Sequence, residues 1–134
     1  MSEENVEIVR KAFDAFSRND LEGTLEHFAP DLEFYPTGRF MDTQPVYHGP
    51  EGWTDFWNTF HEAWEQITIS IGRIEDVGDE RVLVSGTFHG TGRGSGVEAT
   101  VESAWLVRVK DGLIAVNHSF ARREEALEAA ELSK

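Results

Sequence analysis

The chain has no cysteine among its 134 residues, which excludes disulfides, thiolate nucleophiles and thiolate metal sites. Positive charge is also scarce: 12 Lys and Arg stand against 25 Asp and Glu, a formal net charge of -13. A surface that negative repels phosphate backbones and anionic lipid, so neither nucleic acid nor a membrane surface is an expected partner. Long apolar runs are missing too. No segment approaches the roughly 20 apolar residues that span a bilayer, and the opening MSEENVEIVRKAF is acidic with helical spacing, unlike a leader. The expected compartment is the cytoplasm. Internal repeats and low-complexity tracts are absent, and the length suits a single domain over residues 1–134.

What is present is apolar and rich in rings. Apolar residues make up 40% of the chain and include nine Phe, four Trp and two Tyr, enough to build an interior. Val6, Val9, Phe13 and Phe16 recur at helical spacing, with Ser2 as a cap and Glu3 and Glu4 at the positive end. Asp20 reads as the cap of a second helix that buries Leu21, Leu25 and Phe28 and is stopped by Pro30. Residues 31–35 read as a strand and residues 37–48 as a loop. Gly49-Pro50 opens a third helix whose Trp53, Phe56, Trp57, Phe60 and Trp64 form a wide apolar stripe.

After residue 66 the period changes to two. Ile67, Ile69 and Ile71 alternate, and the phase slips at Gly72-Arg73, the mark of a bulge. Turn signals at Gly78-Asp79, across Gly92 to Gly96 and at Asp111-Gly112 divide the rest into four strands of a meander. A short Ala- and Glu-rich helix over residues 123–132 closes the chain. Consecutive strands with short turns pair antiparallel, and helices segregated to one face make this an α+β domain.

Several polar residues are candidates for chemistry. His118 is expected to share its face with Ile114, Val116 and Phe120, in an apolar row where an imidazole could act as acid or base; the alternative is a core His satisfied by one hydrogen bond. Alternation puts Val101, Ser103, Trp105, Val107 and Val109 inside and Glu102, Ala104, Leu106 and Arg108 outside. Glu102 works as a base only if it faces the interior; otherwise it is a surface carboxylate. Tyr35 and His89 are out of phase with Phe34 and Phe88, and either line the mouth of a pocket or point away. Interior space lined by Phe16, Trp53, Trp57, Phe60, His89, Trp105 and Phe120 would suit a small apolar or ring-bearing molecule.

No His pair stands at ligand spacing on one helix and no carboxylate cluster completes a metal set, so no metal is expected. The stretch GTGRGSG ends in a strand rather than a helix, unlike a phosphate cradle, and no cofactor is expected.

The segments ENVEIVRKAFDAFSRNDLEGTLEHFAPDLEFYP, VYHGPEGWTDFW, GRGSGVEA and KDGLIAVNHSFARREEALEAAEL together resemble the SnoaL-like group of the nuclear transport factor 2-like superfamily. The resemblance covers nearly the whole chain. It implies a cone-shaped sheet wrapped around three helices, a ligand cavity and a homodimer formed through the sheet. It does not imply one activity, because this fold hosts isomerases, cyclases, hydrolases, dehydratases and binding domains. Matched to ketosteroid isomerase, Tyr35 before Pro36 stands where that enzyme has its base, and Ala12 where it has its oxyanion-stabilising Tyr. The strand interior after residue 80 offers no Asp before Asp111, so the Asp-Arg-Asp set of limonene epoxide hydrolase is missing as well. The expectation is a small-molecule-binding protein, either a cofactor-free acid/base isomerase, cyclase, hydratase or lyase using His118, Tyr35 and Glu102, or a non-catalytic binding or dimerisation module.

Overall fold

The computed structural model describes residues 2–37 and 43–132. The middle of the loop expected over 37–48, and the capping role expected of the Ser2 side chain, lie outside the described residues. Within them run the helices α1 (Ser2–Ser17), α2 (Leu21–Leu25), α3 (Gly49–Ala63) and α4 (Arg123–Leu132). The strands are β1 (Phe28–Tyr35), β2 (Tyr47–His48), β3 (Trp64–Gly78), β4 (Arg81–Gly92), β5 (Glu98–Lys110) and β6 (Leu113–Phe120). They form one sheet in the order β2-β1-β6-β5-β4-β3. The expected meander β3 to β6 is antiparallel throughout. β1, far from β6 in sequence, joins it in parallel.

Local chemistry accounts for most boundaries. Asp20 caps α2 as expected, its carboxylate accepting from the Gly23 N–H at 2.9 Å. Asp20→Ala is expected to lose about 1 kcal/mol of stability in denaturant melts. The second helix ends at Leu25, however, five residues before the proline assigned to stop it. Phe28 therefore packs from a strand, and Pro30 lies inside β1 between Phe28 and Glu33, where the ladder is interrupted and no N–H is required. β2 is a two-residue strand inside the segment read as loop, pairing Tyr47 with Phe34.

The sheet curves where the sequence pattern slips. β3 shifts register between Ile71 and Arg73, and the facing β4 residue is Gly86, paired with Ile71. An ideal Cβ at Gly86 would stand 2.3 Å from the Ser70 carbonyl oxygen, so only glycine allows this close approach. The concave face takes the buried sides of α1 and α3, and Val9, Phe13, Phe16, Trp53, Val84 and Val107 belong to this main core.

The convex face departs from the simple inside/outside reading. Ala104 is fully buried and Leu106 is 9% exposed, although alternation assigns both to the outer surface. For Ala104 the reason is α4, which lies across this face and buries Ala126 against Leu83 and Ala104 in a second, smaller cluster. An Arg123–Glu75 ion pair at 2.6 Å ties the helix to β3. The Glu125 carboxylate accepts from the Ala121 and Arg122 N–H groups at its start.

Candidate functional site

A cavity of about 90 Å³ lies between the concave face of the sheet and the helices. Its walls are mostly rings: Phe13 and Phe16 from α1, Trp53, Phe56 and Phe60 from α3, and Phe28, Phe34, Phe88 and Trp105 from the strands. These rings hold one another edge to face, as in Phe34 on Phe56 with centroids 4.7 Å apart and Phe13 on Trp105 at 5.0 Å. Trp53 is fixed further by its indole N–H, which donates to Thr24 Oγ1 at 3.0 Å, while that hydroxyl donates to the Leu21 carbonyl at 2.6 Å.

The polar residues of the lining are Thr24, Thr37, Thr43, Ser103, Asn117 and Ser119. None of the described lining residues carries an ionisable side chain. Asn117 stands apart from the others. It is 9% exposed, and its Oδ1 is buried without a hydrogen-bond partner.

The position of Asn117 explains where His118 goes. Ile114 pairs with Val109 but Val116 pairs with Arg108, leaving Ala115 as an extra residue in β6. This bulge exchanges the faces beyond it. Ile114 still lines the cavity, but Asn117 and Ser119 then follow it inward. His118 is carried to the convex face, where it is exposed. Of the expected apolar row, only Ile114 is therefore parted from His118; Val116 and Phe120 stay on its face, beyond the bulge, and a buried core His is not formed. Phe120 borders the cavity and also packs with the convex cluster.

On that outer face Tyr35 and His118 do meet. The His118 ring stacks between Tyr35 at 5.0 Å and Phe120 at 4.4 Å. Partial desolvation between the rings lowers the His118 pKa from its ordinary 6.5. The neutral ring is thus favoured by the fold, and the associated stability is lost as pH falls below the ordinary value toward the folded one. An NMR titration is expected to place the His118 midpoint below 6.5; a midpoint at or above it contradicts the stacking argument. The Tyr35 hydroxyl donates to Glu33 Oε1 at 2.6 Å, and this hydrogen bond, with burial and the Glu33 charge, raises the phenol pKa. Tyr35 is thereby held as a neutral donor to a neighbouring carboxylate.

The remaining candidates are dispersed. Glu102 is exposed on the convex face opposite Thr87, outside the cavity that its neighbours Ser103 and Trp105 line. His89 is half-buried between Thr68 and Thr100 in the ladder, on the opposite side of β4 from Phe88. Trp57 is buried but stands behind the lining, against Phe16 and stacked on His61 at 4.4 Å. Phe16, Trp53, Phe60 and Trp105 do line the cavity. Asn117 escapes sequence reasoning because the bulge at Ala115 carries no Gly or Pro to signal it. Among the described residues no group of His, Asp and Glu is arranged to hold a metal ion, and no helix is long and apolar enough to cross a membrane.

Comparison with known proteins agrees with this architecture. A nuclear transport factor 2-like protein of unknown function from Burkholderia pseudomallei is 24% identical and superimposes with a TM-score of 0.78, covering 93% of this chain and 95% of that one. TerC, co-crystallised with polyporic acid, is 21% identical with a TM-score of 0.79, covering 96% and 98%. A hypothetical protein with a ketosteroid isomerase-like fold from Catenulispora acidiphila, in complex with trimethylamine, is 16% identical with a TM-score of 0.76, covering 93% and 92%. No curated protein matches the sequence. Residues 9–117 match the family model of the SnoaL-like domain, and the chain belongs to that family.

Proposed function

We propose that this protein binds a compact organic molecule in the ring-lined cavity and that the cavity is a binding site without acid–base chemistry of its own. The observation that carries the reading is the lining itself: rings, aliphatic groups, hydroxyls and one carboxamide, with no ionisable side chain among the described residues. Proton transfer needs a titratable group within hydrogen-bond reach of the reacting atom. His118, Tyr35 and Glu102 lie on the convex face and do not line the cavity. The small molecules named for two structural neighbours, trimethylamine and polyporic acid, support binding of small ligands by this fold. The homodimer implied by the resemblance belongs to this reading; the sheet area open to it is polar, with Thr87, His89, Thr100 and Glu102.

The test follows intrinsic Trp fluorescence during titration with compact five-membered rings such as furan and pyrrole. Saturable binding is expected, with a Kd unchanged within about twofold in the combined variant Tyr35→Phe, Glu102→Gln, His118→Gln. Absence of saturable binding by every ring, or loss of binding in that variant, overturns the reading.

A further inference from the structure

Asn117 makes the cavity selective. We infer that its ligand is a compact neutral molecule carrying one N–H or O–H donor, held by a hydrogen bond to Asn117 Oδ1. This rests on the binding role proposed above and names the class of molecule bound. An amide oxygen buried without a partner has given up its hydrogen bond to water and gained none in return. Asn117 Oδ1 is such an atom, on a residue 9% exposed that lines the cavity. Its ladder neighbours do not satisfy it, for Phe34 and Val107 flank it in register on either side. The Trp53 indole N–H is committed to Thr24 and so is not its donor. A ligand N–H or O–H would satisfy the Asn117 oxygen.

Charge and size narrow the class. No described lining residue could neutralise an ion, and a desolvated charge without a counter-charge is strongly disfavoured. An apolar cavity of 150 Å³ holds benzene, so 90 Å³ corresponds by proportion to about four non-hydrogen atoms, and a flat five-membered ring is the upper limit. Small azoles, alcohols and amides fall in this class.

Pyrrole and furan separate the donor from the shape, since the rings match in size and only pyrrole carries an N–H. Wild-type protein is expected to bind pyrrole at least as tightly as furan and to bind tetramethylammonium no more than weakly. In Asn117→Leu the donor is left unpaired, and pyrrole affinity is expected to fall about tenfold or more while furan affinity is kept. Asn117→Val, better suited to a strand, repeats the comparison if the Leu variant does not fold. A pyrrole-to-furan ratio that both variants leave unchanged overturns the hydrogen bond, as does tighter binding of tetramethylammonium than of pyrrole. Failure of wild type to bind any of the probes overturns instead the cavity-binding role on which this rests.

Discussion

Trp53→Ala is expected to remove about 3–5 kcal/mol of stability, the largest single effect anticipated in the molecule. The ring is 4% exposed and touches several others: Phe28 at 5.0 Å, Phe34 at 5.2 Å and Phe56 at 5.5 Å. Truncation removes its burial, opens a void where neighbours on separate elements cannot close in, and withdraws the donor to Thr24 Oγ1. Total stability of a domain this size is about 5–15 kcal/mol, so the variant stands near the threshold of folding. Trp53→Phe separates the contributions. It keeps most of the ring and loses the hydrogen bond, and is expected to lose about 1–2 kcal/mol. Denaturant midpoints measure both; a loss under about 1 kcal/mol for the Ala variant would contradict the anchoring role of this ring.

Gly86→Ala is expected to lose about 3 kcal/mol, at the upper end of overpacking effects. The added Cβ would stand 2.3 Å from Ser70 O and 3.3 Å from Ile71 Cα, and both are backbone atoms that no rotamer change can move. Relief would require β3 and β4 to separate at the bend that wraps the sheet around the helices. Gly72→Ala is the matched control. Its Cβ would meet Ser85 O at 3.6 Å, an ordinary contact, and at a compatible backbone this substitution is neutral or stabilising by about 0.5 kcal/mol. Equal losses at the two positions would contradict the close-approach argument.

The fold was legible because its signals are local and repeated. The heptad-like ring stripe of α3, the period-two strands after residue 66 and the slip at Gly72 each dictate one element, and the family resemblance assembles them. Two features lay beyond such reading. α4 lies on the convex face and buries Ala104 on a side that alternation alone leaves to solvent; long-range packing decides this, not the strand itself. The β6 bulge matters more for function. LIAVN has no Gly or Pro around Ala115 to mark a bulge, so its one-residue slip is set by pairing with β5 and β1. That slip exchanges His118 for Asn117 at the cavity wall. It puts a carboxamide where an imidazole was expected, while the ring residues of α1, α3 and β5 remain largely where their spacing put them.

The most direct measurement is an NMR titration of the protein with pyrrole, following side-chain resonances on both faces of the sheet. The Asn117 carboxamide and the Trp53 and Trp105 indole N–H signals are expected to move together and saturate, with Tyr35, Glu102 and His118 unchanged. Perturbations confined to Tyr35, His118 and Phe120, with the cavity resonances still, would contradict the assignment of the binding site to the interior.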